Sequence, residues 1–219
     1  HRPVLERTSR GLAGRLVPSL QGTGRAVSQN GGIRRGRARG NCSTEKLTRK
    51  AMSTTTTPAQ EHQERWQELC RDPALQDLPY KIETNERGQV VLSPPKAAHS
   101  DLQGRILDAL REARPEGRGL PEFPITTSGG VRVPDVVWMP EGRLKEITET
   151  GDPPTRAPDL CVEVMSESND WSEMDEKRAL YLEAGAEEVW VVDKDGAVRF
   201  FGRQELEASE LVSGFPERV

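Results

Sequence analysis

Val131-Arg-Val-Pro-Asp135-Val-Val-Trp138 and Leu160-Cys-Val-Glu163-Val-Met165 are the two stretches that decide how this chain is read. Both are rich in β-branched or large apolar residues and predict strands over 132–139 and 160–165. Each carries one acid in its middle, although Asp and Glu are rarely buried without a partner. On the second strand, alternation puts Glu163 on one face with Cys161 and Met165, and Leu160, Val162 and Val164 on the other. A buried carboxylate must neutralise or meet a cation. A dication shared between Asp135 and Glu163 would meet that need, and oxygen-only ligation suits Mg²⁺. Such an ion polarises a phosphoryl oxygen and lowers the pKa of an attacking water. Lys177, a little further along the chain, could reach the same place and stabilise developing negative charge. The competing reading puts both acids at strand ends, exposed or paired with Arg132 or Lys177.

Elements can be assigned outward from these strands. A polar helix is predicted over 59–70, stopped by Pro73, and a hairpin pairs 80–83 with 89–93 across Asn85-Glu-Arg-Gly88. Leu102, Ile106, Ala109 and Leu110 recur at helical spacing and predict a helix over 98–113. A strand over 120–126 follows, with Gly129-Gly130 as the turn to the next. The polar, Pro- and Gly-bearing interval 140–158 reads as a loop and a candidate flap. A helix over 173–183, capped by Asp170 or Ser172, precedes strands at 188–193 and 197–201. This order predicts an α/β (α+β) domain with a mixed central sheet flanked by helices.

The net charge of −4 conceals two unlike parts. Residues 1–51 hold 12 Lys/Arg and 2 Asp/Glu, so the remaining 19 basic and 33 acidic residues balance at −14. The Arg- and Gly-rich part cannot bury enough apolar surface to fold alone, and reads as a disordered leader or an over-extended start ahead of Met52. Residues 52–78 are expected to form an N-terminal helical segment, and 79–219 the main domain. Cys42, Cys70 and Cys161 show neither metal spacing nor a disulfide framework, which favours a reducing, cytoplasmic setting. No apolar run approaches the roughly 18 residues a membrane helix needs.

From Pro79 to about Phe215 the chain resembles the Uma-two family of restriction endonucleases, a branch of the PD-(D/E)xK nuclease superfamily. The resemblance rests on Leu78-Pro-Tyr-Lys-Ile-Glu83, Leu92-Ser-Pro-Pro95, His99 and Gly130-Val-Arg-Val-Pro-Asp135-Val-Val-Trp138. It continues through Ala157-Pro-Asp-Leu-Cys-Val-Glu163-Val-Met-Ser166, Glu173-Met-Asp-Glu-Lys177-Arg-Ala-Leu-Tyr181 and Gly185-Ala-Glu-Glu-Val-Trp190-Val-Val-Asp193. It implies a restriction-endonuclease-like fold, Asp135 as the acid of the Pro-Asp motif, Glu163 as the acid of the (D/E)xK strand, and Mg²⁺, with Mn²⁺ able to substitute. Met165 stands where the superfamily has its strand Lys. The family carries a lysine on the following helix instead, which here is Lys177.

The resemblance also offers Glu83 as a third metal-side acid, and Glu122 as a weaker one. His99 is read as a hydrogen-bonding residue at the start of the first long helix, with Gln103 beside it. Tyr181 is read as core packing one turn beyond Lys177, and Trp138 and Trp190 as core aromatics. The implied substrate is DNA, although a balance of −14 is unusual for a phosphate-binding surface. The alternatives are an inactive nuclease-fold binding module and a hydrolase of RNA or another phosphodiester. The strand at 189–192 and the tail from Leu206 onward are expected to support a homodimer.

Overall fold

The computed structural model describes residues 56–167 and 169–219. The basic stretch 1–51 and Met52 lie outside the described residues. The described chain opens with α1 (Pro58–Arg71), α2 (Pro73–Gln76) and a hairpin of β1 (Lys81–Thr84) and β2 (Val90–Ser93). Thr57 begins α1 with a capping box, its hydroxyl accepting from Gln60 N–H while the Gln60 side chain accepts from the Thr57 amide. Next come α3 (Ala97–Ala113), β3 (Gly117–Pro121), β4 (Ile125–Thr127), β5 (Gly130–Arg132) and β6 (Val136–Pro140). The chain ends with α4 (Arg143–Thr148), β7 (Leu160–Val164), α5 (Trp171–Glu183), β8 (Glu188–Val192), β9 (Val198–Phe201) and β10 (Glu205–Leu206).

Six strands form one mixed sheet in the order β10-β9-β8-β7-β6-β3. Only β7 and β8 run parallel, joined by α5, as a parallel pair requires a crossover. The alternation of β7 sorts the core into two layers. Leu160, Val162 and Val164 pack with Leu102, Ile106 and Leu110 of α3, and Cys161 packs on the opposite side with Tyr181 of α5 and Ile147 of α4. Helices therefore cover both faces of the sheet, as expected of an α/β domain. Among the described residues, no helix is long and apolar enough to cross a membrane.

Three expectations need correction. The strand over 120–126 is two strands in different sheets, because β3 joins the main sheet and β4 pairs with β5 in a separate hairpin. The strand over 132–139 is likewise broken at Val133-Pro134-Asp135. Pro134 has no N–H for the ladder, and the Val133 amide turns away to Glu83 Oε1 at 2.7 Å. The interval 140–158 is more than a loop. It contains α4, buries Ile147, Pro153, Pro154 and Ala157, and lines no part of the cleft described below.

The segments expected to support a dimer are used within the chain itself. Val189 to Val192 of β8 are buried in mid-sheet, and Trp190 meets Phe200 edge-on at 5.2 Å and Phe215 of the tail at 4.4 Å. Buried Glu188 holds that tail, accepting from Trp190 Nε1, Ser209 Oγ and the amides of Glu210 and Leu211 at 2.6–2.7 Å.

The β1–β2 hairpin lies outside the main sheet and docks on β5 through a glycine. Gly130 has φ +106°, and a Cβ there would stand 2.4 Å from the Thr84 carbonyl oxygen. With no side chain in the way, the Val131 amide reaches Thr84 Oγ1 at 2.8 Å. Gly130→Ala meets both backbone strain and a backbone clash, so it is expected to cost about 2 kcal/mol or more. Urea unfolding of the two proteins measures that loss.

Candidate active site

The cleft that gathers the expected residues opens where β1, α3, β6, β7 and α5 meet. Its volume is about 380 Å³, and its lining includes Lys81, Glu83, His99, Asp135, Glu163 and Lys177. Asp135 is 1% exposed and Glu163 3%. Val136 pairs with Val162, so extending the antiparallel register by one residue sets Asp135 opposite Glu163. The two acids are neighbours because β6 and β7 are neighbours.

Each acid is held by several donors. Asp135 Oδ1 accepts from Lys81 Nζ at 2.6 Å and Gln103 Nε2 at 3.3 Å, and lies 3.1 Å from His99 Nε2. Asp135 Oδ2 accepts from the Val164 amide at 2.7 Å. Glu163 Oε1 accepts from the Tyr181 hydroxyl at 2.5 Å, and Oε2 from Lys177 Nζ at 3.2 Å. The same ammonium lies 3.3 Å from Glu83 Oε2. Lys177 thus joins an acid of β1 to an acid of β7 from one turn before Tyr181.

Asp135, Glu163, Glu83 and Lys177, the residues named from the sequence, therefore come together in one cleft. Glu122 lines it too, but is exposed and stands at φ 48° where β3 ends. Arg132 pairs with Glu176 at 2.7 Å, away from both central acids. Sequence reasoning missed Lys81 as a site residue, although Lys81 and Glu83 are two apart on one strand and so share a face. It also underrated His99 and Gln103. They stand four apart on α3, a spacing that puts them on one helix side, and both turn to Asp135. Tyr181 is buried as expected, but its hydroxyl is spent on Glu163.

These contacts divide the protonation behaviour of the two central acids. Burial would raise the Asp135 carboxyl, but the Lys81 ammonium and the hydrogen-bonded His99 outweigh it and hold the group well below the usual carboxylate range. Burial lifts the Glu163 carboxyl above its ordinary 4.5, with Lys177 and Lys81 offsetting only part. Lys177 is also buried, yet Glu163 and Glu83 hold it more basic than a free lysine. It is a fixed cation and not a proton acceptor at neutral pH.

A stability measurement can separate the two acids. A carboxyl whose folded value is raised binds more protons in the folded state, so its contribution declines as pH climbs above the unfolded value. The stability of the parent minus that of Glu163→Gln, measured by urea unfolding in chelator, is expected to fall as pH rises above 4.5. The slope is at most about 1.4 kcal/mol per pH unit. The matching difference for Asp135→Asn runs the other way, shrinking as pH drops below 3.8 because that group's folded value is depressed.

The donor set can be tested for a divalent ion. Among the described residues, no three acids, His or Cys stand together as a ready metal cage. Magnesium, however, is usually taken by one or two carboxylates with waters and substrate phosphate completing its shell. Asp135 Oδ2 and Glu163 Oε1 each receive one neutral donor here, and a carboxylate oxygen can take about two. Asp135 and Glu163 therefore fit a hard dication as a two-carboxylate site.

Paired buried acids with a resident lysine, at the cleft of a mixed sheet, define the class: an acid-and-lysine site on an α/β scaffold. Residues 64–217 match the model of the Uma2 family, described as "Putative restriction endonuclease", and the chain belongs to that family. A crystal structure described as a "putative nuclease belonging to DUF820" from Anabaena variabilis is similar at 18% identity. The TM-score is 0.47, over 57% of this chain and 73% of that one. No curated protein matches the chain.

Proposed function

We propose that this protein is a divalent-metal-dependent endonuclease that hydrolyses DNA phosphodiester bonds. The observation that carries the reading is the convergence of Asp135, Glu163 and Glu83 with Lys177 in one cleft, in a chain of the Uma2 family. Asp135 and Glu163 would hold Mg²⁺ or Mn²⁺. When bound, such an ion lowers the pKa of an attacking water and polarises the phosphoryl group.

The chain's own groups do the rest. His99, Gln103 and the Val164 amide fix the Asp135 carboxylate, while Tyr181 fixes Glu163. Such preorganised contacts keep the carboxylates aimed, so no reorganisation is needed during the reaction. Lys177 remains protonated and stabilises negative charge as it develops on the phosphate. Glu83 bonds the Val133 amide and Lys177, which ties β1 to the acid-bearing strands and positions the ammonium. Glu83 is thus better cast as a positioning acid than as a third metal ligand.

The test is cleavage of a substrate panel: plasmid, duplex and single-stranded DNA, and RNA, each with Mg²⁺, Mn²⁺ or chelator. Metal-dependent cutting of DNA that Asp135→Ala abolishes supports the proposal. Cutting of RNA alone would reassign the substrate. Absence of cutting on every substrate, with Asp135→Ala indistinguishable from the parent, would leave a nuclease fold kept as a binding module.

A further inference from the structure

Asp135 Oδ1 is crowded. Three donors approach it, from Lys81, His99 and Gln103, where a carboxylate oxygen offers about two acceptor positions. Lys81 makes the closest approach, at 2.6 Å, and brings a full ammonium charge. It comes from β1, outside the main sheet, and its side chain is 14% exposed against 8% for Lys177. The two lysines are held differently as well. Lys177 is tied between Glu83 and Glu163, whereas Lys81 has one salt-bridge partner among the described residues, Asp135, and sits on the cleft wall. Met165 leaves the acid-bearing strand itself without an ammonium.

We propose that Lys81 is an exchangeable counter-ion and a catalytic residue. It holds Asp135 while no dication is bound, gives up that oxygen when one binds, and then grips a non-bridging oxygen of the substrate phosphate. The proposal rests on the metal-dependent reading of the site and goes beyond it. A dication on Asp135 draws on the same single negative charge as the Lys81 ammonium, and two cations on one carboxylate repel each other. Lys177 keeps Glu83 as a second acid, whereas Lys81 has only Asp135 among the described residues. The lysine stem has four rotatable carbons and a compact charge, so the head can swing into the cleft while β1 stays docked. The backbone need not move, since Glu83 and Thr84 anchor β1 through the amides of Val133 and Val131. A phosphate brought into the cleft supplies the anion that Lys81 loses.

The exchange predicts that Lys81 competes with metal and assists substrate. Mn²⁺ binding without nucleic acid, measured by electron paramagnetic resonance, is expected to be at least about tenfold tighter in Lys81→Met than in the parent. Binding of a short DNA duplex in Ca²⁺ is expected to weaken in the same variant. Lys81→Gln keeps a donor on Asp135 without the charge and should also bind Mn²⁺ more tightly. In the parent, acylation of Lys81 by an amine-reactive ester, read by mass spectrometry, should rise several-fold on adding Mg²⁺ and fall again with the duplex. This arm needs no variant to fold. Parent protein that binds Mn²⁺ through Asp135, with equal or weaker binding in both Lys81 variants or unchanged Lys81 labelling, overturns the exchange and leaves the metal site standing. Parent protein that binds no Mn²⁺ overturns the metal reading, and the exchange with it.

Discussion

Asp135→Asn is expected to lower the proposed DNA cleavage by about three orders of magnitude or more, with the fold retained. The substitution keeps the side chain's shape and removes its charge. Lys81 and His99 then face a neutral amide, and the oxygen that accepts from the Val164 amide risks replacement by a second donor. Hydrogen bonding alone cannot restore what is lost, because a hard dication needs an anionic oxygen. Initial rates on plasmid at saturating Mg²⁺, with circular dichroism to check the fold, measure the effect. A variant that cuts at the parental rate removes Asp135 from the chemistry.

The second large effect is on stability. Lys177 is 6% exposed, and its ammonium is the shared counter-ion of two buried acids, Glu83 and Glu163. Lys177→Met fills much of the same space with apolar atoms and leaves both carboxylates short of a cation. Breaking a buried pair in this way typically costs about 3–5 kcal/mol. Urea unfolding at neutral pH is therefore expected to show a loss of that size, together with loss of cleavage. Adding Glu163→Gln should recover part of the stability and none of the activity, because it removes one stranded charge and also one proposed ligand. A double variant whose loss equals the sum of the losses of Lys177→Met and Glu163→Gln would mean that the two groups are not energetically coupled.

The fold was legible wherever burial imposed a period. Strand β7 announced itself because all five of its residues are buried, and α3 because its apolar residues recur at helical spacing. The elements misread are short or interrupted. Strands β4 and β5 have three residues each, too few to show an alternation, and Pro134 splits what looked like one strand. Helix α4 is six residues long with a single buried side chain, Ile147, so its periodicity was invisible inside a polar interval.

In the site, Asp135 and Glu163 were readable because an acid inside an apolar strand is physically awkward. Lys81 was not, since a lysine on a hairpin strand is ordinary until β1 is known to dock against β5. The Tyr181 hydroxyl was hidden for a related reason. Its ring belongs to the core, and sequence alone does not say where the polar tip of a buried tyrosine finds its partner.

The separateness of the β1–β2 hairpin has a consequence for how the protein fails. Two of the charged groups around the central acids, Lys81 and Glu83, ride on a two-stranded element with no strand of the main sheet beside it. It is tied to the rest through a few side-chain bonds, at Lys81, Glu83, Thr84 and Gly88. Such a piece can open sub-globally at lower free-energy cost than the six-stranded sheet. On warming, amide hydrogens of β1 should therefore exchange ahead of those in β7 and β8, and inactivation should set in while the bulk of the protein is still folded.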